Sequence, residues 1–422
     1  MKKILVSAYG CEPFRGSEAG VGWNWILQMA RFYELFVIAR ENDRERIEQN
    51  LPEEFRSNLH FYYYDTCKLL MKVKKKDKGL YLYYWMWQIG IIPLISQLIK
   101  QFKPDYTMHL TFGSVWMPTF LPFFRTPFIW GPVGGGDGVP KQMLKILPLK
   151  QRIVQGLRYG LIATSWLNPI VAIPSKKASL ILCRTENNCE AIPKKYRNKC
   201  QVILETAMGD EVFANCKDLN CQRNHVIEIM TTGRLVPFKN TMMAVEGVHT
   251  LSTKYSNIHM TIIGKGPEKH RILEYIQNNK LETIVEIIPE IPREQLLMRL
   301  CDADIYAFPS LREGGSWALM EAMAVGLPVV CLNWTGMRII TDTESAIRIE
   351  PSDYENTKSE FTAGIEKLLL DSDLRCSIGT AARDRMMQVF NWTHVGDTIK
   401  EIFDQLEEKI IENIDYYYYI QQ

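Results

Sequence analysis

In the stretch LREGGSWALMEAMAVGLPVV, two glutamates, Glu313 and Glu321, stand eight residues apart, the first followed by Gly-Gly-Ser and the second set among apolar residues. The pattern reads as a loop and then a helix, with Ser316 as N-cap and a stop at Gly326 before Pro328. Backbone N–H groups after Gly314 and Gly315 then lie at the positive end of the helix, which suits a phosphate or a sugar hydroxyl. All residues three or four positions from Glu321 are apolar. An unpartnered carboxylate buried there would cost several kcal/mol, so Glu321 is either the one solvated residue of the helix or a group with a partner.

Cations precede this helix. The stretch TTGRLVPFKN ends a strand at Gly233 and supplies Arg234 and Lys239, and IIGKGPEK ends another at Gly264 and Gly266. Arg234 and Lys239 would flank a diphosphate and stabilise it as it leaves. Each element alone is an ordinary turn or a solvated charge; their joint occurrence in this order is more specific.

Nearer the start, FRGSEAGVGWNW places Gly16, Ser17, Gly20 and Gly22 after the first strand and at the opening of a helix. This lacks G-x-G-x-x-G, which argues against hydride transfer, and taken alone it reads equally as a tight turn. His109 ends the strand in PDYTMHLTF, as a structural or a site residue. The glycines Gly134 to Gly136 in WGPVGGGDG point to unusual backbone dihedrals. The DAD at Asp302 to Asp304 spans a helix-to-strand transition and reads as structural.

These residues need strand ends to hold them. Short apolar runs recur, from ILVSAY, LFVIA, LHFYYYD, YTMHLTF, FIWGPV, SLILC and QVILE to VIEIM, MTIIG, VEIIP, IYAFP, PVVCL and AIRI, several of them separated by segments of helical spacing. Such alternation implies parallel sheets covered by helices. The polar stretch GDEVFANCKDLNCQRN interrupts the series. The expected division is therefore a first α/β domain over 1–210, a second over 211–395 and a terminal helix over 396–422, which is expected to pack back towards the first. Doubly wound sheets bind ligands outside the carboxyl ends of their strands, and two facing each other would form a cleft.

At 422 residues two domains are the natural size expectation, and a net charge of +2 gives no global reason to expect nucleic acid. The ten cysteines contain no C-x-x-C pair and read as reduced thiols. MKKILVSAYGC is read as a buried first strand rather than a signal peptide, and no window of about 18 uninterrupted apolar residues marks a transmembrane helix. Lys72, Lys74, Lys75, Lys76 and Lys78 precede Tyr81, Tyr83, Tyr84, Trp85 and Trp87, so the segment from Lys72 to Lys100 is either a peripheral membrane contact or a buried helix behind a charged loop. The tail DYYYYIQQ reads as a frayed terminus or an aromatic anchor.

Taken in order, GRLVPFKN, IIGKGPEK, ADIYAFPSLREGG and the pair Glu313 and Glu321 resemble the carboxyl-terminal half of the family 4 glycosyltransferases, retaining enzymes of the GT-B fold, over about residues 226–395. The resemblance implies two Rossmann-like doubly wound parallel-sheet domains facing across a cleft. It implies that Arg234 and Lys239 hold the donor diphosphate, with Glu313, Gly314, Gly315 and Ser316 on the donor sugar and Glu321 on the ribose hydroxyls. The base would lie against the backbone from Ile288 to Glu290, with Gly16, Gly264 and Gly266 near the donor and His109 near its sugar. Many relatives carry EGFG where this chain has EGGS, a departure at Gly315 and Ser316.

The expected activity is retaining transfer of a hexosyl or related sugar from a nucleoside diphosphate sugar, a UDP- or GDP-sugar, to a hydroxyl of a glycan acceptor. A lipid-linked acceptor in cell-surface polysaccharide synthesis is the expected setting. No cofactor or metal is expected, because no D-x-D motif stands where a metal-dependent transferase would need it. Cytoplasmic location, with possible peripheral contact to the inner face of the plasma membrane, is also expected. Rival readings are a nucleotide-sugar epimerase of the same fold and a catalytically silent nucleotide-sugar-binding protein.

Overall fold

The computed structural model describes residues 1–16, 18–66, 79–214 and 226–420. Each apolar run named above becomes a strand. The first sheet contains β1 (Lys3–Ala8), β2 (Glu34–Arg40), β3 (Leu59–Tyr64), β4 (Tyr106–Thr111), β5 (Phe128–Val133), β6 (Ala178–Cys183) and β7 (Cys200–Val202). The second contains β8 (Ile227–Thr232), β9 (Ile258–Ile263), β10 (Val285–Ile288), β11 (Ile305–Phe308), β12 (Val329–Leu332) and β13 (Ala346–Ile349).

Both sheets are wholly parallel, in the orders β3-β2-β1-β4-β5-β6-β7 and β10-β9-β8-β11-β12-β13. The central strands are mostly apolar because both faces of such a sheet are covered; all six residues of β4 and of β5 are buried. In each order the winding reverses beside its first strand, between β1 and β4 and between β8 and β11. Loops leaving those strand ends cannot cover the crevice between them, and ligands of doubly wound sheets bind there.

The chain divides into one unit of residues 1–136, 161–205 and 392–422 and another of residues 137–160 and 206–391. This differs from a simple split near 210. Residues 137–160 return to the second unit, where Trp334 Nε1 donates to the Gly138 carbonyl at 2.8 Å. The terminal helix Trp392–Ile420 belongs with the first unit: Arg31 meets Asp397 at 2.8 Å, Lys2 meets Glu407 at 2.6 Å and the Tyr33 and Phe403 rings lie 5.6 Å apart.

One further expectation stands and another changes. Residues Leu80–Phe102 are long and apolar enough to cross a membrane by length and composition, although Gln88, Ser96, Gln97 and Lys100 interrupt the run, as the expectation of no uninterrupted apolar window had it. They form two helices, Leu80–Gly90 and Ile92–Phe102, and Tyr83, Tyr84, Trp87, Ile91, Ile95 and Leu98 pack into the first unit's core. Burial of those aromatics favours the core reading of this run, with Tyr81 and Leu82 left exposed; Lys72 to Lys78 lie outside the described residues. Cys376 is disulfide-bonded, so the expectation of reduced thiols fails at that position.

Candidate functional site

In the second unit, the winding reversal between β8 and β11 brings the predicted residues together. β8 ends at Thr232, whose Oγ1 lies 2.7 Å from Tyr306 Oη on β11, and Gly233 follows at φ +131°. Gly233 N–H donates to the Ile263 carbonyl and Leu235 N–H to the Lys265 carbonyl, stitching the two glycine loops side by side. A Cβ on Gly264 would collide with the Gly233 carbonyl, and one on Gly266 with the Leu235 carbonyl. Glycine at both positions is thus a packing requirement, and Gly264 N–H is bonded to the Ile288 carbonyl at 3.0 Å.

Lys239 reaches from the turn Pro237–Lys239 to the loop after β11, where its Nζ lies 2.6 Å from Glu313 Oε1 and 5.2 Å from the Phe308 ring centroid. Ser310 Oγ also donates to Glu313 Oε1. The Glu313 main chain is tied in turn, its N–H to Thr335 Oγ1 at 3.1 Å and its carbonyl to Gly336 N–H at 3.0 Å. This carboxylate is therefore held in place from both the side chain and the backbone. Arg234, by contrast, is exposed, and no side-chain hydrogen bond or ion pair holds it among the described residues.

Arg312 carries no sequence signal, because an arginine in a loop has no pattern to mark it. It stacks on Phe238 at 4.6 Å, and burial pushes its guanidinium down to about 10, with Arg158 and Arg234 contributing repulsion and Asp137 and Glu313 opposing it. It stays charged at neutral pH. A bound anion would relieve the repulsion among Arg312, Arg158 and Arg234, while Lys239 nearby is paired with Glu313.

The helix after EGGS spans Trp317–Ala324, and Ser316 caps it by accepting from Leu319 N–H at 3.5 Å. Among the described residues, the N–H groups of Gly314, Gly315 and Ser316 have no hydrogen-bond partner. A Cβ on Gly315 would strike the Thr206 side chain, which gives a local reason for glycine there. Thr206 Oγ1 and Trp317 Nε1 are themselves buried without partners. Buried polar atoms left open beside unpaired N–H groups suit a polar ligand.

Glu321 does have a protein partner. Arg293 Nε donates to its Oε1 at 2.7 Å, while Arg293 NH1 lies 3.4 Å from Glu211. Glu321 is only 6% exposed, and burial raises its pKa against the opposing pull of Arg293. Its Oε2 accepts no hydrogen bond among the described residues, so one oxygen is anchored and the other remains available. Arg293 lies 28 residues upstream on the helix Arg293–Asp302, out of reach of any spacing rule.

Gly16 and His109 belong to the first unit. Gly16 is exposed, with open space where a Cβ would stand, so nothing there demands glycine; Gly22 instead packs against the Gly10 carbonyl. His109 is fully enclosed in β4, its Nε2 lies 3.5 Å from Tyr84 Oη, and burial lowers its pKa to about 4. It is neutral at physiological pH. Beside it, the Gly113 N–H donates to Glu18 Oε1 at 2.6 Å, and Arg184 lies 3.3 Å from both Glu18 and Glu205. Glu18 has no sequence signal beyond its place among Gly16, Gly20 and Gly22, and Arg184 has none. Gly134 N–H bonds to the Gly113 carbonyl and Gly136 N–H to Asn188 Oδ1 at 2.6 Å, so those glycines serve strand-end packing. Asp304 accepts the Glu228 N–H at 2.8 Å, a structural role for that aspartate.

The glycosyl transferases group 1 family matches residues 223–385. The putative colanic acid biosynthesis glycosyltransferase WcaL of Salmonella typhimurium is 30% identical over 172 residues, 39% of this chain and 42% of that protein. The amylovoran biosynthesis glycosyltransferase AmsK of Erwinia amylovora is 35% identical over 141 residues, 32% and 35% of the two chains. The chain thus spans about two fifths of the length of such curated relatives. Among solved structures, sucrose-phosphate synthase from Thermosynechococcus elongatus aligns over 97% of this chain and 100% of its own with a TM-score of 0.63 at 14% identity. Anabaena HepE in complex with UDP aligns over 96% and 100% with a TM-score of 0.60, also at 14% identity. The chain accordingly has the GT-B fold, and its residues 223–385 match the glycosyl transferases group 1 family.

Proposed function

We propose that the protein is a retaining glycosyltransferase of family 4 that moves a sugar from a nucleoside diphosphate sugar to a glycan hydroxyl in surface polysaccharide synthesis. The observation that carries this reading is the set of groups at the β8/β11 reversal: Arg234, Lys239 and Arg312 for a diphosphate, and the unpaired N–H groups of Gly314 to Ser316 with Glu313 for sugar hydroxyls. Glu321 Oε2 is available to a ribose hydroxyl while Arg293 steadies Oε1. Ile288 to Glu290 would flank the base. UDP accompanies the HepE structure, which favours a UDP-sugar as the first donor to try.

In the proposed reaction the bond from the anomeric carbon to the diphosphate breaks and a bond to the acceptor oxygen forms on the same face. The leaving phosphate oxygen takes the acceptor's proton, so no protein nucleophile is required. Fixed cations and the helix N-terminus would neutralise the leaving group, so the proposal invokes no metal. The first unit is assigned the acceptor. A lipid-linked glycan at the cytoplasmic face of a membrane fits the polysaccharide pathways named for the relatives.

The test is a product assay with UDP- and GDP-sugars, with and without glycan acceptors, resolving the anomeric configuration by NMR. Acceptor-dependent release of nucleoside diphosphate with retained configuration supports the reading. Conversion of the sugar without acceptor would mean epimerisation, and binding without turnover of any donor would mean a silent binding protein.

A further inference from the structure

The first unit holds a cluster that the donor chemistry does not use. Cys183 ends β6, Cys189 sits on the short helix Glu186–Glu190 and Cys200 opens β7. Their three Sγ atoms all lie within 4.8 Å of one another. No sequence spacing announced this. The strand pair β6 and β7, in register at Ile181 and Cys200, and the intervening helix bring residues together that are separated by five and ten others.

Buried cysteines often act only as small apolar residues, but such a role does not require three sulfurs to converge. Zinc–thiolate bonds of about 2.3 Å in a tetrahedral array put sulfurs about 3.8 Å apart, so this triangle needs to contract by about 1 Å at most. Side-chain rotation supplies that. The frame around it is firm: Asn188 Nδ2 donates to Thr185 Oγ1 at 2.7 Å, and Asn188 Oδ1 accepts from Gly136 N–H. Cys183 is wholly buried, whereas Cys189 and Cys200 are partly open and give an ion a way in.

Charge fits as well. Three thiolates around a divalent ion leave one net negative charge. Arg197, fixed by the Ile192 and Glu190 carbonyls at 2.9 and 2.7 Å, is the cation that acts on both Cys189 and Cys200. Among the described residues no fourth histidine, cysteine or carboxylate joins the cluster. We propose that Cys183, Cys189 and Cys200 bind one thiophilic divalent cation, of which zinc fits best, with the fourth position open to water. Binding expels the thiol protons to solvent and ties β6, β7 and the helix between them.

The test uses the full chain, reduced and stripped of metal, titrated anaerobically with Co²⁺ and then Zn²⁺. The expected result is a sulfur-to-cobalt charge-transfer band that saturates at one ion per chain, bleaches with zinc and accompanies a rise in Tm. In Cys189→Ser and in Cys200→Ser the band should vanish and zinc affinity should fall by more than about 100-fold. Both sites are partly exposed, so the variants should keep the metal-free Tm and circular dichroism of the parent. A band that survives in both variants, or no band in the reduced parent, overturns the proposal. So does peptide mapping that shows a Cys189–Cys200 disulfide in a parent whose reduced form takes up no metal.

Discussion

Lys239 Nζ stands 2.6 Å from Glu313 Oε1, with the two side chains only 14% and 10% exposed. A cation fixed by so enclosed a carboxylate is preorganised, and a diphosphate arriving beside it meets a charge that needs no reorientation. Removing one partner leaves the other buried and unpaired. Lys239→Met should therefore destabilise the fold by about 3 kcal/mol, and Glu313→Gln added to it should restore much of that loss. Urea unfolding of the single and double variants measures the coupling.

Arg293 and Glu321 form a more open pair, since Arg293 is 45% exposed. Discounted for solvent, Arg293→Ala should cost about 1 kcal/mol at neutral pH. Burial already raises the Glu321 pKa, so ionising it weighs on the folded state. Stability from this group is full below the ordinary carboxylate range and falls as pH rises through the folded pKa. Losing Arg293 should deepen that fall, and Glu321→Gln should abolish it; denaturant midpoints from pH 4 to pH 8 separate the curves.

His109 gives the opposite sign. Its pKa falls from 6.5 to about 4 on burial, so the unfolded chain binds the proton more readily between those values. Stability is full above 6.5 and drops on acidification towards 4, by about 3 kcal/mol at most. His109→Gln should flatten this part of the pH–stability profile. An unchanged slope would show that His109 is not the group responsible.

Gly336 packs with no room for a side chain, because a Cβ there would strike the Gly314 carbonyl. Gly336→Ala should push the Glu313–Ser316 loop out of place, lowering nucleotide-sugar affinity more than it lowers Tm. Ala at Gly160, which has open space around it, is the control that should do neither.

Much of this was legible because parallel strands announce themselves as short, mostly apolar runs, and because glycines at their ends mark where loops must pack closely. Ser316 as a cap and Gly326 as a stop follow from local chemistry alone. What escaped depends on chain returns that no local pattern encodes. Arg293 meets Glu321 from another helix, residues 137–160 rejoin the second unit, and Tyr83, Tyr84 and Trp87 face inward although their composition suits a membrane interface equally well. Thr206 is a further case: its contact with Gly315 crosses more than a hundred residues.

The central claim is that Glu321 holds a nucleotide, and thermal stabilisation by UDP, GDP and ADP, in the parent and in Glu321→Ala, tests it most directly. A nucleotide at about 100 times its Kd should add roughly 2.7 kcal/mol to the stability of the parent. The account predicts that at least one nucleotide does so and that Glu321→Ala, folded and with its own ligand-free Tm, loses most of the gain. Equal stabilisation of parent and variant would contradict it, and would leave Glu321 as no more than the structural partner of Arg293.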